Sequence, residues 1–327
     1  MISYIIRRIL GMIPTLFVIS IITFIVIQLP PGDFFTTLQA ELAATGGGQD
    51  KETIKMLQEI YGLDKPMLYQ YFKWISGFPR LDFGYSLEWN ASVWKVIESK
   101  LSYTIFTGLL SVLFMAVVAI PIGVYSATHQ YSIGDTVLSA IGFLGLSIPG
   151  FLLALVWMFV GILVLQIDVG GVYSEKMASA PWSMAKTLDY IVHLIPAVVI
   201  LGLSSTAQVQ RIMRSSLLDV LGQQHIITAR AKGLHESKVI NKYAVRVAIN
   251  PVITVLALEM SKIINTSVLI GIVMMLPTLG PIFLRALRSQ DMYLAGTILL
   301  FSTLLLMVSN LIADIVLAWV DPRITYT

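Results

Sequence analysis

The chain has 327 residues, of which 56% are apolar and only 13% are charged, and its formal net charge is +3. Soluble domains carry about a quarter charged residues, so the composition excludes an ordinary soluble protein and indicates a membrane protein. A net charge this small gives no reason to expect a nucleic-acid partner. The absence of cysteine excludes disulfides, thiolate metal ligands and a thiol nucleophile.

The first element, residues 1–29, is predicted to be a retained transmembrane helix. A basic start, MISYIIRRIL, precedes an apolar run of twenty residues from Ile9 to Gln28. A secretory signal has an apolar region of about 7–15 residues and a small-x-small cleavage site. Here the run is longer and ends in LPPGD, which favours a helix that stays in the membrane.

Residues 30–102 form a long polar segment that is predicted to lie outside the cell. Its TGGGQD stretch, with glycines 46 to 48, is typical of a turn. The stretch MLYQYFKWI from Met67 to Ile75 is rich in aromatic residues and has two interpretations. It is either a helix that lies in the lipid headgroup layer or a small packed cap.

Residues 103–327 contain five further apolar runs long enough to cross a bilayer of about 30 Å. The fold expected is therefore an all-α membrane protein with six transmembrane helices. The third span is longer than needed and contains Ser147-Ile148-Pro149-Gly150, where either a kink or a tilted first segment is expected because proline interrupts helical hydrogen bonding. After Ile9–Gln28, the spans are Tyr103–Ala127, Val137–Gln166, Tyr190–Gln210, Val252–Leu276 and Tyr293–Val320.

Basic residues in short loops determine the orientation, because cytoplasmic loops carry an excess of lysine and arginine. A cytoplasmic N-terminus places most of them inside, with both termini cytoplasmic. The chain is thus predicted to be a multi-pass protein of the cytoplasmic membrane. The residues placed inside are Arg7, Arg8, Arg211, Arg214, Arg230, Lys232, Lys238, Lys242, Arg246 and Arg323.

The longest cytoplasmic segment, residues 211–250, is polar and contains TARAKGLHESKV at residues 228–239. Helix-forming residues lie on both sides of Gly233, and glycine ends a helix in a left-handed turn at the lowest cost. The pattern predicts two short helices hinged at Gly233. From the residues alone, three roles stay open: docking of a cytoplasmic partner, a positive loop that only fixes topology, or a basic helix on anionic lipid.

Glu259 and Lys262 are unusual because charged residues inside a membrane span are costly. Their spacing of three lets them pair across one helical turn. The pair either neutralises itself between packed helices or contributes, with Ser147, to the lining of a translocation path. Asp314, near the inner end of the last span, is assigned a packing or capping role.

The sequence contains neither the GxxxxGK[ST] pattern that holds nucleotide phosphates nor the HExxH pattern of zinc proteases. The chain is therefore predicted not to be an enzyme and to bind no cofactor itself.

The order and spacing of several motifs resemble the permease subunits of binding-protein-dependent ABC importers, in the oligopeptide/dipeptide/nickel branch. They are YIIRRILGMIPTLFVIS, LPPGD, YGLDKP, DFGYSL, GLSIPGF, RSSLLDVL, TARAKGL, AVRVAINPVIT and DPRI. The resemblance covers almost the whole chain. It implies the type I importer permease fold and the transport of short peptides, with oligosaccharides or nickel as alternatives.

The resemblance also implies that the TARAKGL segment contacts a cytoplasmic ATPase. The residues carried over are Ala229, Arg230, Ala231, Lys232, Gly233, Leu234, His235 and Glu236. His235 stands where the family commonly has a capping serine, and Ile227 stands where a wider importer motif has glutamate. The implied partners are a second homologous permease, two ATPases that bind ATP and magnesium, an extracytoplasmic binding protein, and membrane lipid.

Two other classes of protein remain alternatives at this stage. An ion-coupled secondary transporter needs carboxylates or broken helices near the membrane midplane, which Glu259 and the Ser147–Gly150 stretch could supply. A membrane scaffold would bind a cytoplasmic partner without a substrate path. Dependence of uptake on ATP separates the first alternative from an ABC importer, and substrate-stimulated ATP hydrolysis separates the second.

Overall fold

The computed structural model describes residues 2–29, 32, 34–36, 59, 62 and 64–320, and these residues are mostly helical. A short 3₁₀ turn at Phe78–Arg80 and two antiparallel two-residue strands, β1 (Tyr85–Ser86) and β2 (Ala91–Ser92), lie between the first helices. The α-helices in the first part of the chain are α1 (Ile2–Gln28), α2 (Met67–Gly77), α3 (Val93–Thr128), α4 (Ile133–Ser147), α5 (Gly150–Phe159), α6 (Glu175–Ala178) and α7 (Met184–Leu221). Those that follow are α8 (Gln224–Ala231), the short α9 (Glu236–Lys238), α10 (Val245–Val273), α11 (Leu279–Arg288) and α12 (Met292–Val320).

Five helices in the described part of the chain are long and apolar enough to cross a membrane, and a bent pair makes a sixth span. The pair is α4 followed by α5, whose helical path continues to Leu165, and the two parts meet at 95°. The predicted six spans and the predicted kink at Pro149 are thus confirmed. The break begins at Ile148, which is extended (φ −94°, ψ 122°) because proline disfavours the helical conformation of the preceding residue.

Helix α7 is longer than its predicted span. It has 38 residues, which corresponds to about 57 Å at 1.5 Å per residue, whereas the hydrocarbon core measures about 30 Å. The stretch SSLLDVL therefore continues α7 and does not belong to a separate helix of the polar segment. The span after the polar segment is also extended, because helical backbone runs without interruption from Glu236 through a π-helical stretch, Val239–Ala244, to Val273.

The chain divides into two compact units. The first contains residues 1–4, 104–277 and 306–327. Small residues lie where its helices touch: a Cβ added to Gly142 of α4 would lie 3.1 Å from the Cβ of Ala207 on α7, and one added to Gly202 would lie 2.7 Å from the Phe114 ring. Close backbone approach of this kind is the usual basis of helix association in membranes.

The second unit contains residues 5–103 and 278–305, and aromatic side chains form much of its core. Trp74 of α2 stacks on Phe24 of α1 and donates a hydrogen bond from Nε1 to Thr297 Oγ1 at 3.3 Å. The hydroxyls of Ser20 and Tyr71 lie 2.8 Å apart. Helix α2 is therefore packed as a cap on one face, whereas the other face exposes Leu68, Tyr69 and Phe72, the residue types expected for the headgroup layer.

Asp291 joins several elements of the second unit. Its carboxylate accepts hydrogen bonds from Ser86 Oγ (2.6 Å) and from the backbone N–H groups of Glu88 and Leu294 (both 3.2 Å). Burial raises the pKa of Asp291 above the usual range, although these donors oppose the shift. The predicted turn at glycines 46–48 and the final DPRI motif lie outside the described residues.

Candidate functional site

The segment around Gly233 folds as a helix, a tight turn and a second helix. Helix α8 ends at Ala231, and Gly233 has a left-handed conformation with φ +70°. The Gly233 N–H donates to the Arg230 carbonyl at 2.9 Å and the Leu234 N–H to the Ala229 carbonyl at 3.4 Å. These two bonds define a Schellman motif, which satisfies the last carbonyls of a helix. The predicted helix break at Gly233 is confirmed, and we call residues 229–236 the coupling turn.

The helix after the coupling turn begins with a histidine cap. His235 is extended, and its Nδ1 accepts a hydrogen bond from the Ser237 N–H at 3.3 Å. Histidine thus occupies the capping position that the family commonly gives to serine. Across the turn, Arg230 donates from Nε (3.1 Å) and Nη2 (2.6 Å) to the two carboxylate oxygens of Glu236. This forked pair closes the turn from its exposed side.

The inner side of the coupling turn is apolar and buried. Ile226 of α8 and Val239 of the following helix are fully buried, and Ala229 is nearly so. The pattern leaves one side of the turn free: of the residues predicted to contact a partner, Arg230, Ala231, Lys232, Gly233, His235 and Glu236 are exposed. Ala229 instead supports the turn from within, and Leu234 is half-buried.

The structure adds Ile227 to the exposed surface of α8. Its side chain is 48% exposed, next to the coupling turn and on the same helix. From the sequence, Ile227 was noted only as the position where a wider importer motif has glutamate, and its exposure was not predicted.

A second polar site lies between α7 and α10. Lys262 Nζ lies 2.7 Å from Glu259 Oε1, so the predicted pairing is present. Glu259 also accepts a hydrogen bond from the hydroxyl of Ser205 on α7, and Lys262 Nζ lies 3.4 Å from Gln208 Oε1. We call these four residues the polar cluster. Ser205 and Gln208 escaped sequence analysis because their types are common in membrane helices and only the fold places them beside Glu259.

The two charges of the polar cluster have different environments. The Glu259 side chain is only 3% exposed, whereas that of Lys262 is 60% exposed. The carboxylate is thus held inside the helix pair, as the buried-pair interpretation requires. The ammonium projects from the surface of the unit, as the lining interpretation requires.

Ser147 lies at the bend between α4 and α5, and its hydroxyl donates to the Phe143 carbonyl at 2.8 Å. Within the described residues no hydrogen bond joins it to the polar cluster. The bend nevertheless reaches α10, because a Cβ added to Gly150 would lie 3.1 Å from Ile270 and 3.9 Å from Thr266. Thr266 is one helical turn beyond Lys262, so bend and cluster share one stretch of α10. Asp314 accepts a hydrogen bond from Tyr4 at 2.7 Å, in keeping with its packing role.

Two family models together match nearly the whole chain. The N-terminal model of binding-protein-dependent transport system membrane components matches residues 1–107, and the model of the inner membrane component itself matches residues 119–326. The chain belongs to this family. It is a permease component of binding-protein-dependent import, located in the cytoplasmic membrane, and not an enzyme.

Several relatives align with the permease over its whole length. It is 35% identical over all 327 residues to the oligopeptide transport system permease protein AppB of Bacillus subtilis (strain 168). It is 30% identical over the same length to the glutathione transport system permease protein GsiC of Escherichia coli (strain K12). Each alignment covers 100% of both chains.

A solved structure has the same fold. The MetNI methionine ABC transporter, crystallised in inward-facing conformations, matches the permease with a TM-score of 0.54 and 19% identity. The match covers 69% of the permease and 96% of that chain. The type I permease fold expected from the sequence is therefore confirmed.

Proposed function

We propose that the permease forms half of the membrane pathway of an ATP-driven importer for short peptides. The observation that supports this most directly is the coupling turn, which has a rigid, capped shape, an apolar inner side and an exposed outer side. A loop that only fixed topology would need positive charge alone. The Schellman motif, the histidine cap and the buried Ile226 and Val239 are features of a docking element.

The proposed function requires several partner proteins. Two cytoplasmic ATPases bind ATP and magnesium, and each contacts one permease through its coupling turn. A second homologous permease completes the pathway, and an external binding protein delivers the substrate. ATP-driven closure of the ATPases moves the coupling turns together, and the continuous helix that begins at Glu236 transmits this movement to the spans.

Short peptides are the proposed substrates because two relatives are permeases for oligopeptides and for glutathione, which is itself a tripeptide. In this proposal Lys262, Glu259 and Ser147 contribute to the pathway. The exposed ammonium of Lys262 offers a partner for a peptide carboxylate, while Glu259, which accepts a hydrogen bond from Ser205, holds the ammonium in place.

Reconstitution of the complete complex in proteoliposomes tests the proposal. We expect the uptake of labelled dipeptides and tripeptides to require ATP and the binding protein, and ATP hydrolysis to rise when the loaded binding protein is present. Uptake that an ion gradient drives without ATP would indicate a secondary transporter. Uptake of nickel or an oligosaccharide in place of peptides would agree with an ATP-driven importer but would contradict the proposed peptide substrate.

A further inference from the structure

A cavity of about 480 Å³ lies between α4 and α7 in the first unit. It is separate from both the coupling turn and the polar cluster, since it shares no lining residue with them. Its lining consists of Asp135, Thr136, Ser139, Ala140 and Phe143 from α4, and of Ala207, Gln210, Arg211 and Arg214 from α7.

The two helices are antiparallel, and their register gives the cavity two chemically different ends. Arg214 Nη2 contacts Asp135 at 3.1 Å. Further along α4, Gly142 lies against Ala207, and Gly145 lies against Leu203. The charged residues therefore gather at one end of the cavity, while Ala140, Phe143 and Ala207 line the other end.

The charged end carries an unbalanced positive charge. Two guanidinium groups face one carboxylate, which leaves a formal charge of +1 among the lining residues. Asp135 engages Arg214, whereas Arg211 is exposed and takes part in no ion pair within the described residues. The Nε of Arg214 is buried and has no hydrogen-bond partner in the described part of the chain. A buried donor without an acceptor is costly, so this end of the cavity is suited to an anion.

The cavity lies at the level of a membrane boundary. Arg211 is the first charged residue after the apolar run Tyr190–Gln210, and Asp135 comes just before the apolar run that starts at Val137. Both helices thus change from polar to apolar at the same level. The positive-inside rule places this level on the cytoplasmic side, where the phosphates of inner-leaflet lipids lie.

We infer that the cavity binds a phosphate-bearing anion, in the form of an anionic phospholipid whose phosphate lies between Arg211 and Arg214 and whose first acyl carbons contact Ala140 and Phe143. Guanidinium groups match phosphate oxygens with paired hydrogen bonds. One net negative charge, as in phosphatidylglycerol, balances the net positive charge of the lining. A free phosphate ion shares the headgroup chemistry but cannot use the apolar end.

Lipid binding to the purified complex tests this inference. Delipidated complex is titrated with phosphatidylglycerol or phosphatidylcholine, and bound lipid is counted by native mass spectrometry. We expect one phosphatidylglycerol to bind more tightly than phosphatidylcholine. Arg211→Gln should weaken the binding of phosphatidylglycerol about fivefold, the effect of one arginine near an anionic headgroup.

Two further variants separate the cavity from general surface charge. Arg246→Gln removes an exposed cytoplasmic arginine outside the cavity and should leave the affinity unchanged. Ala140→Leu occupies the apolar end without changing charge and should weaken lipid binding. Thermal melting checks that each variant is folded; Arg211 is exposed and outside any described ion pair, so its loss should not lower the melting temperature.

A second experiment uses inorganic phosphate as the only probe. If millimolar phosphate protects the wild type against thermal unfolding, and Ala140→Leu keeps this protection while Arg211→Gln loses it, the anion is free phosphate. If only phosphatidylglycerol binds, the source is lipid. The inference is overturned if Arg211→Gln binds both probes as the wild type does, or if Arg246→Gln weakens binding equally.

Discussion

The ion pairs Arg230–Glu236 and Lys262–Glu259 join a cation to a glutamate at nearly the same distance, 2.6 and 2.7 Å, but in different surroundings. In the coupling turn both side chains are about half exposed, at 43% and 52%. In the polar cluster the carboxylate is buried and only the ammonium is exposed. Water can replace either partner in the turn, whereas the buried Glu259 carboxylate is removed from bulk water and accepts hydrogen bonds from Lys262 and Ser205. The distance between two charged groups therefore does not by itself determine how much their ion pair contributes to stability.

The largest effect is expected from Lys262→Met. This change leaves the Glu259 carboxylate buried beside the Ser205 hydroxyl. Breaking a fully buried pair costs about 3–5 kcal/mol, and the 60% exposure of Lys262 places the cost here at no more than about 3 kcal/mol. We expect a markedly lower melting temperature of the purified permease and a loss of peptide uptake.

The double variant Glu259→Gln with Lys262→Met is the matched control for this prediction. It removes both charges, so it should melt closer to the wild type than Lys262→Met does. If the double variant were as unstable as Lys262→Met, the unpaired Glu259 carboxylate would not be the cause of the instability, and the comparison with the coupling turn would fail.

Gly233→Val should give the next largest effect, on coupling and not on insertion. A side chain at φ +70° is strained, and the left-handed conformation costs about 1–2 kcal/mol for a residue with a Cβ. We expect peptide uptake to fall about tenfold, with normal amounts of permease in the membrane.

Gly222→Val is the control for strain. Gly222 caps α7 with an ordinary φ of −84°, and a Cβ there would meet only the Asp219 carbonyl, at 3.9 Å. Uptake should be close to that of the wild type. A similar loss in both glycine variants would show that bulk, and not the left-handed turn, disturbs the segment.

Asp291 provides a third carboxylate for the comparison, buried but held by a hydroxyl and two backbone N–H groups. Because its pKa is raised by burial, the folded protein binds a proton more readily than the unfolded chain does. Its contribution to stability is therefore complete below the ordinary carboxyl pKa and is lost as the pH rises through the raised value.

Asp291→Asn should remove this pH dependence. Melting curves between about pH 4 and pH 7 should show the wild type losing stability relative to the variant as the pH rises. At the acidic end the variant should be close to the wild type in stability, because asparagine caps a helix N-terminus about as well as aspartate does. A constant difference across the range would contradict the raised pKa.

The smallest effect is expected from Glu236→Gln. Exposed pairs contribute about 0.2–1 kcal/mol and are screened by salt, so the melting temperature should change by little more than the experimental error. Uptake reports on docking separately. A strong loss of uptake with unchanged stability would assign Glu236 to the contact with the ATPase.

Much of the fold could be predicted from the sequence because apolar runs of about twenty residues have few alternatives to membrane helices. The bend was predicted from Pro149, because proline restricts the backbone conformation. The left-handed turn was predicted from Gly233, because glycine allows a positive φ. The ends of α7 and the continuation of the helix at Glu236 into the next span could not be predicted. Helices continue past a membrane boundary wherever the polar residues that follow are also good helix formers.

The polar cluster was predictable only in part. The spacing of Glu259 and Lys262 on one helix was sufficient to predict their pairing. Ser205 and Gln208 are more than fifty residues away in sequence, and only the packing of α7 on α10 brings them to the pair. The same holds for Ala229, whose burial depends on how α8 packs against its neighbours.

In the proposed function, the uninterrupted helical path from Glu236 through Pro251 to Val273 would act as a lever. Lys262 lies 26 residues beyond Glu236, which corresponds to about 39 Å of helix. A tilt of about 10° around the coupling turn would displace the Lys262 end by about 7 Å, which is more than one helical turn. A small rotation imposed in the cytoplasm would thereby be amplified into a movement comparable to the width of an amino acid.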